Sequence, residues 1–192
     1  MGQNLHRDCC RLTFSLAAPE RLDPHRALKQ ALRTTTAEEV TEVILQSVPY
    51  SGFPAAVEAL GRLRDLAPES PRQNRDPHSR DVFGEVYGAA SEKVSDQLSH
   101  RHPDLKEWIL EFAYGIVMGS GPLPTLDLEL LAISSLLAQS RMTPFHSHLR
   151  GALRCGATEA ELTGLLNDLE DVAHPESLTK ARKLLQAEVN PQ

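Results

Sequence analysis

The chain has 192 residues, enough for one domain or two small fused halves with a real core. It is 41% hydrophobic but only 5% aromatic, so the core must be built from Leu, Ala, Val and Ile, which suits packed helices better than a β-sandwich. A net charge of −6 argues against nucleic acid or an anionic membrane as the main partner, and leaves room for a small anionic substrate held by a local arginine.

The first helix is expected from Cys9 to Ala18, with Pro19 and Pro24 bracketing a turn and a short helix from His25 to Arg33. Thr36-Ala-Glu-Glu39 is a capping box, in which hydroxyl and carboxylate satisfy free amides. Val40, Val43, Ile44 and Val48 follow at helical spacing until Pro49. Gly52 makes a turn, and Pro54 opens the next helix, to about Leu66. The polar, proline-containing stretch 67–79 is the best boundary, dividing residues 1–66 from residues 80–192 within one compact domain overall. Helices are then expected at Val82–Leu98, Leu105–Met118, Thr125–Gln139 and Thr143–Arg154, the last two as an antiparallel hairpin closed by Gly156. Thr158-Glu-Ala-Glu161 is a second capping box, and His174-Pro175 separates its helix from a last one at Glu176–Glu188. No segment alternates like a strand, so the expected class is all-α.

Cys9, Cys10 and Cys155 form neither a disulfide framework nor a zinc pattern. With no signal-like N-terminus and no apolar run of membrane length, the expectation is a cytoplasmic protein without membrane contact. His146 and His148 diverge on a helix, and no third ligand is suitably spaced, so no metal is expected; nor is an organic cofactor.

The two capping boxes are 122 positions apart, Thr36 to Thr158. At that offset the order helix, helix, capping box, helix, break, helix recurs. We read two degenerate copies of a four-helix unit, near Asp8–Leu66 and Thr125–Glu188, with residues 80–124 inserted.

The run Thr36–Leu60 has a Thr-x-x-Glu cap, an apolar helix ending in Gln46, then Tyr50, Gly52, Pro54, Ala55 and Ala56. It resembles the second half of the γ-carboxymuconolactone decarboxylase unit. The run Glu129–Glu161, with His148, Arg150, Ala152, Leu153, Gly156, Thr158 and Glu161, resembles the first half. VYG at Val86–Gly88 and EFAYG at Glu111–Gly115 also resemble the family. The resemblance implies an alkylhydroperoxidase D-like helical bundle that forms a homo-oligomer. Copy one has Arg26 where copy two has His148, and copy two lacks the Tyr-x-Gly-x-Pro run. Two accounts stand open: one composite site, or degeneration with no site.

In the composite site His148 is the proton donor, since imidazole titrates near neutrality. Glu129 is its partner, as the Glu and His of the peroxidase branch imply. Hairpin geometry puts the two roughly 7–8 Å apart along helices about 8–10 Å apart, so a bridging water is expected. Tyr50, Gln46, Arg150 and Arg26 are the candidate substrate-binding residues, although Arg150 should point away from His148. Arg141 is a further candidate for a carboxylate. The peroxidase branch also needs a Cys-x-x-Cys, where this chain has Arg141 and Pro144. The expected function is cofactor-free decarboxylation of a small organic acid or lactone. The alternatives are an alkylhydroperoxidase-like antioxidant protein and a non-catalytic oligomeric binding protein of the same fold.

Overall fold

Helices follow from the local chemistry, and their placement follows from which of them are apolar all round. The computed structural model describes residues 3–68 and 75–190. In chain order it contains α1 (Gln3–Ala17), α2 (Pro24–Thr34), α3 (Ala37–Gln46), α4 (Val48–Leu66), α5 (Val82–Tyr87), α6 (Ser91–Arg101), α7 (Pro103–Trp108), α8 (Thr125–Ala138), α9 (Met142–Arg154), α10 (Glu159–Asp168) and α11 (Pro175–Val189). No strand occurs among the described residues. Part of the expected linker, residues 69–74, lies outside them.

α1 and α8 pack on each other at the centre. In α8 every residue but Leu126 is buried, which explains the lack of a polar face. Such a helix must satisfy its own hydroxyls. Ser134 donates to the Leu130 carbonyl at 2.9 Å, Ser135 to that of Leu131 at 3.2 Å, and Thr13 of α1 reaches the Leu131 carbonyl at 3.3 Å. The remaining helices turn apolar faces inward, with Leu28, Ile44, Phe145, Leu162 and Leu185 fully or almost fully buried.

Both capping boxes are formed, Thr36 with Glu39 and Thr158 with Glu161. Three elements differ from expectation. α3 ends at Gln46 and Pro49 stands in the first turn of α4, where a proline is tolerated, while the turn expected at Gly52 is a non-helical kink within α4 (φ 81). The helix expected over Val82–Leu98 divides at Gly88 (φ 51), a conformation that side-chain-bearing residues rarely adopt, with a 3₁₀ turn (Gly88–Ala90) before α6. The helix expected over Leu105–Met118 begins as α7 and widens into a π-helical stretch, Ile109–Met118.

The connections around α8 are tied by arginines. Arg75 pairs with buried Glu42 of α3 and donates to Ser120 at 3.1 Å. Arg80 donates to the Leu123 carbonyl at 2.7 Å and to Thr125 at 2.6 Å, fixing where α8 begins.

Candidate active site

Glu129 opens the second turn of α8 and has no exposed surface, while His148, mid-way along α9, is 7% exposed. Imidazole Nδ1 lies 3.0 Å from one carboxylate oxygen of Glu129 and 3.2 Å from the other. The bridging water expected from the hairpin geometry is therefore replaced by a direct bond. The reason is Gly151, one turn beyond His148. A Cβ there would stand 2.1 Å from Glu129 Oε2 and 2.9 Å from Val86 Cγ1. The carboxylate lies against bare backbone of α9, where any side chain would hold it off. With Nδ1 donating to Glu129, the other nitrogen, Nε2, makes no hydrogen bond among the described residues.

The first half of the chain supplies the wall. Tyr50 of α4 meets His148 edge to face, with ring centroids 5.7 Å apart at 76°. Gln46, buried at the end of α3, donates to the carbonyl of Leu128 at 3.1 Å, immediately before Glu129. Its side-chain oxygen is buried and finds no hydrogen-bond partner among the described residues. The two candidate arginines are elsewhere. Arg150 faces outward and pairs with Glu188 at 3.5 Å, because two residues along a helix turn a side chain away. Arg26 is exposed on α2 and lines a separate cleft. Arg141 is exposed at the start of α9.

Sequence reasoning missed a second layer. Tyr87 and Tyr114 are joined through their hydroxyls at 3.2 Å, and Phe83 packs on both at 4.7 and 5.0 Å between centroids. Arg154 donates to the Val86 carbonyl beside them. Both tyrosines lie in the VYG and EFAYG runs, which were visible as family markers; nothing local in those runs says that they converge. Gly151 was invisible because a helical glycine gives no hint of what approaches it.

Burial first, and the Glu129 carboxylate among the further causes, push the phenols of Tyr50, Tyr87 and Tyr114 above the ordinary tyrosine value, Tyr50 and Tyr114 well above it. These are all three tyrosines of the chain. A folded-state pKa raised above the unfolded value, about 10, contributes stability that is complete below that pH and is lost as pH rises through the folded values. Stability should therefore hold up to about pH 10 and fall above it, and tyrosinate absorbance should rise together with the loss of helical circular dichroism. Ordinary titration of all three in the folded protein would contradict this placement.

The cysteines are poor nucleophiles. Burial pushes Cys9 up to about 12 and raises Cys10 as well, while Cys155 is raised by partial burial and by the Glu129 and Glu85 charges. Arg141 and Pro144, where the peroxidase pair would stand, open α9.

Residues 103–187 match the Carboxymuconolactone decarboxylase family, a stretch that runs from α7 into α11 and holds Glu129, His148, Gly151 and Tyr114. Over this stretch the chain is similar to that family. Gln46 and Tyr50 lie outside it, so the family segment is walled by helices that the match does not cover. The chain is also similar to "Peroxisomal protein 2" of Schizosaccharomyces pombe, 25% identical over 140 residues, covering 67% of this chain and 66% of the relative. It is 24% identical over 151 residues to "Peroxisomal protein 2" of Saccharomyces cerevisiae, covering 60% of this chain and 53% of that one. It thus spans less than two thirds of each relative's length. No helix among the described residues is long and apolar enough to cross a membrane.

Proposed function

We propose that the chain carries out cofactor-free acid–base chemistry, a decarboxylation, on a small organic acid or lactone. The carrying observation is the buried Glu129–His148 bond, which orients the ring and leaves Nε2 as its only unengaged nitrogen. In the step proposed, the bond from the substrate's carboxylate to its neighbouring carbon breaks and CO₂ leaves. The electron pair moves into a conjugated carbonyl, whose oxygen takes up negative charge. His148, protonated at Nε2, then gives that proton to the carbon, and the new C–H bond returns the carbonyl. Glu129 holds the ring through Nδ1 throughout. Tyr50, kept as a neutral phenol by its surroundings, is the donor to the carbonyl oxygen.

A second reading, a non-catalytic binding protein of the same fold, is favoured by one observation. His148 is nearly covered, and clefts around Arg26, Lys183, Gly164 and Gly115 are lined by other residues. The antioxidant alternative has Arg141 and Pro144 against it. For assembly we propose a homo-oligomer joined through the exposed apolar residues Phe53, Val57 and Trp108. The names of both relatives favour the peroxisome over the cytoplasm as the location.

The deciding experiment is a panel of small lactones and dicarboxylic acids assayed for CO₂ release and for binding. Wild type should turn over at least one compound, and His148→Ala should lower that rate by about 10²–10⁴-fold, the usual worth of a positioned acid. Equal rates in both proteins, or silence across the panel, would leave the non-catalytic reading.

A further inference from the structure

A cleft of about 950 Å³ opens between the α1–α2 arm and the α10–α11 connection, within the size range of small-molecule sites. The offset that separates Thr36 from Thr158 carries Glu129 onto Arg7, His148 onto Arg26, Gln46 onto Asp168 and Tyr50 onto Val172. All four of those partners line this cleft. Where the His148 site presents a carboxylate and an imidazole, this cleft presents two guanidinium groups at the corresponding sequence positions.

The acidic residues of the cleft are already engaged. Asp171 accepts both forks of Arg11 at 2.7 and 2.8 Å, and Asp168 pairs with Arg7 at 3.3 Å. Glu170 pairs with Arg182 at 3.3 Å, and Asp8 accepts from Thr34 at 2.8 Å. The arginines are not all engaged. Arg21 makes a single bond, to the Val172 carbonyl at 3.1 Å, and the Arg26 guanidinium has no hydrogen bond or ion pair among the described residues. Two guanidinium groups with spare donors, in a cleft whose carboxylates are taken, form a receptor for a planar or tetrahedral oxyanion.

We propose that this cleft is the counterpart of the His148 site rebuilt as a binding site for a small oxyanion, carboxylate or phosphate, with Arg26 and Arg21 as its anchors. It has no group placed for proton transfer at the His148-equivalent position, so it binds without reacting. It rests on the repeat and on the lining of the cleft, and stands whether or not His148 does acid–base chemistry.

The test is calorimetric titration of the full chain in low-salt buffer, with succinate and separately with inorganic phosphate. Wild type should bind at least one of them saturably, and the tighter of the two identifies the source of the oxyanion. Arg26→Gln and Arg21→Gln should each weaken that binding about 10-fold, as expected for loss of a charge-assisted bond, while His148→Ala leaves it unchanged. Both arginines are exposed, so an unchanged thermal midpoint establishes that the variants fold. Absence of saturable binding by either anion, full retention in Arg26→Gln, or loss in His148→Ala would overturn the proposal.

Discussion

Glu129→Ala should destabilise the fold by about 3–5 kcal/mol, the range seen when one member of a buried polar pair is removed. The side chain has no exposed surface, its two oxygens face the Nδ1 of a buried imidazole, and its carboxylate fills the space left open by Gly151. Truncation leaves the imidazole donor unpartnered and a hole between α8 and α9. Glu129→Gln keeps the shape and one acceptor, so about 1–2 kcal/mol is expected for it. Chemical denaturation of the three proteins measures the difference. Loss of the slowly exchanging Nδ1 proton signal of His148 in the alanine variant would report the same bond from the other side. A truncation that costs under about 1 kcal/mol would mean that the pair does not hold these helices together.

Gly151→Ala should also destabilise, against the usual sign. Replacing glycine by alanine inside a helix ordinarily stabilises by roughly 0.5–1 kcal/mol. Here the added methyl would sit 2.1 Å from Glu129 Oε2 and 2.9 Å from Val86 Cγ1. The carboxylate must rotate away from His148 or α9 must move out from α8, at a cost of about 1–3 kcal/mol typical of overpacking. Gly164 in α10 is the control, since a Cβ there meets nothing within 4 Å, so Gly164→Ala should stabilise. Thermal melts of the two alanine variants should move in opposite directions. Parallel shifts would show that the contact of carboxylate with bare helix backbone is not constraining. If the acid–base reading holds, Gly151→Ala also lowers turnover although neither His148 nor Glu129 is substituted.

Much of the fold was legible because its signals are local. A threonine three residues before a glutamate caps a helix wherever it occurs, so α3 and α10 began where expected. Prolines at the heads of α2, α7 and α11 marked boundaries for the same reason. The failures came where long-range packing decides. Nothing between Leu105 and Met118 announces that the helix should widen, and the single helix expected over Val82–Leu98 ignored what Gly88 permits. At the site, the family resemblance pointed to Glu129, Tyr50 and Gln46, and residue chemistry together with that resemblance to His148; the structure brings the four together. Arg26 and Arg150 were chosen for their charge, Arg26 also as the repeat counterpart of His148 and Arg150 as a position of the family motif. The separation of Glu129 from His148 was overestimated because ideal helix spacing assumes side chains at every position, and Gly151 has none. Tyr87 and Tyr114 lie 27 residues apart and meet only through tertiary packing.

The π-helical stretch Ile109–Met118 has a consequence for register. An α-helix that accepts one extra residue must either rotate everything after it by about 100° or swell locally to take up the insertion. Swelling confines the change. The turn at Gly119 and the start of α8 keep their phase, held by Arg75 and Arg80, while Tyr114 is re-aimed toward Tyr87. The widening is thus taken up before Gly119, and the contact of Tyr114 with Tyr87 is made inside the same stretch.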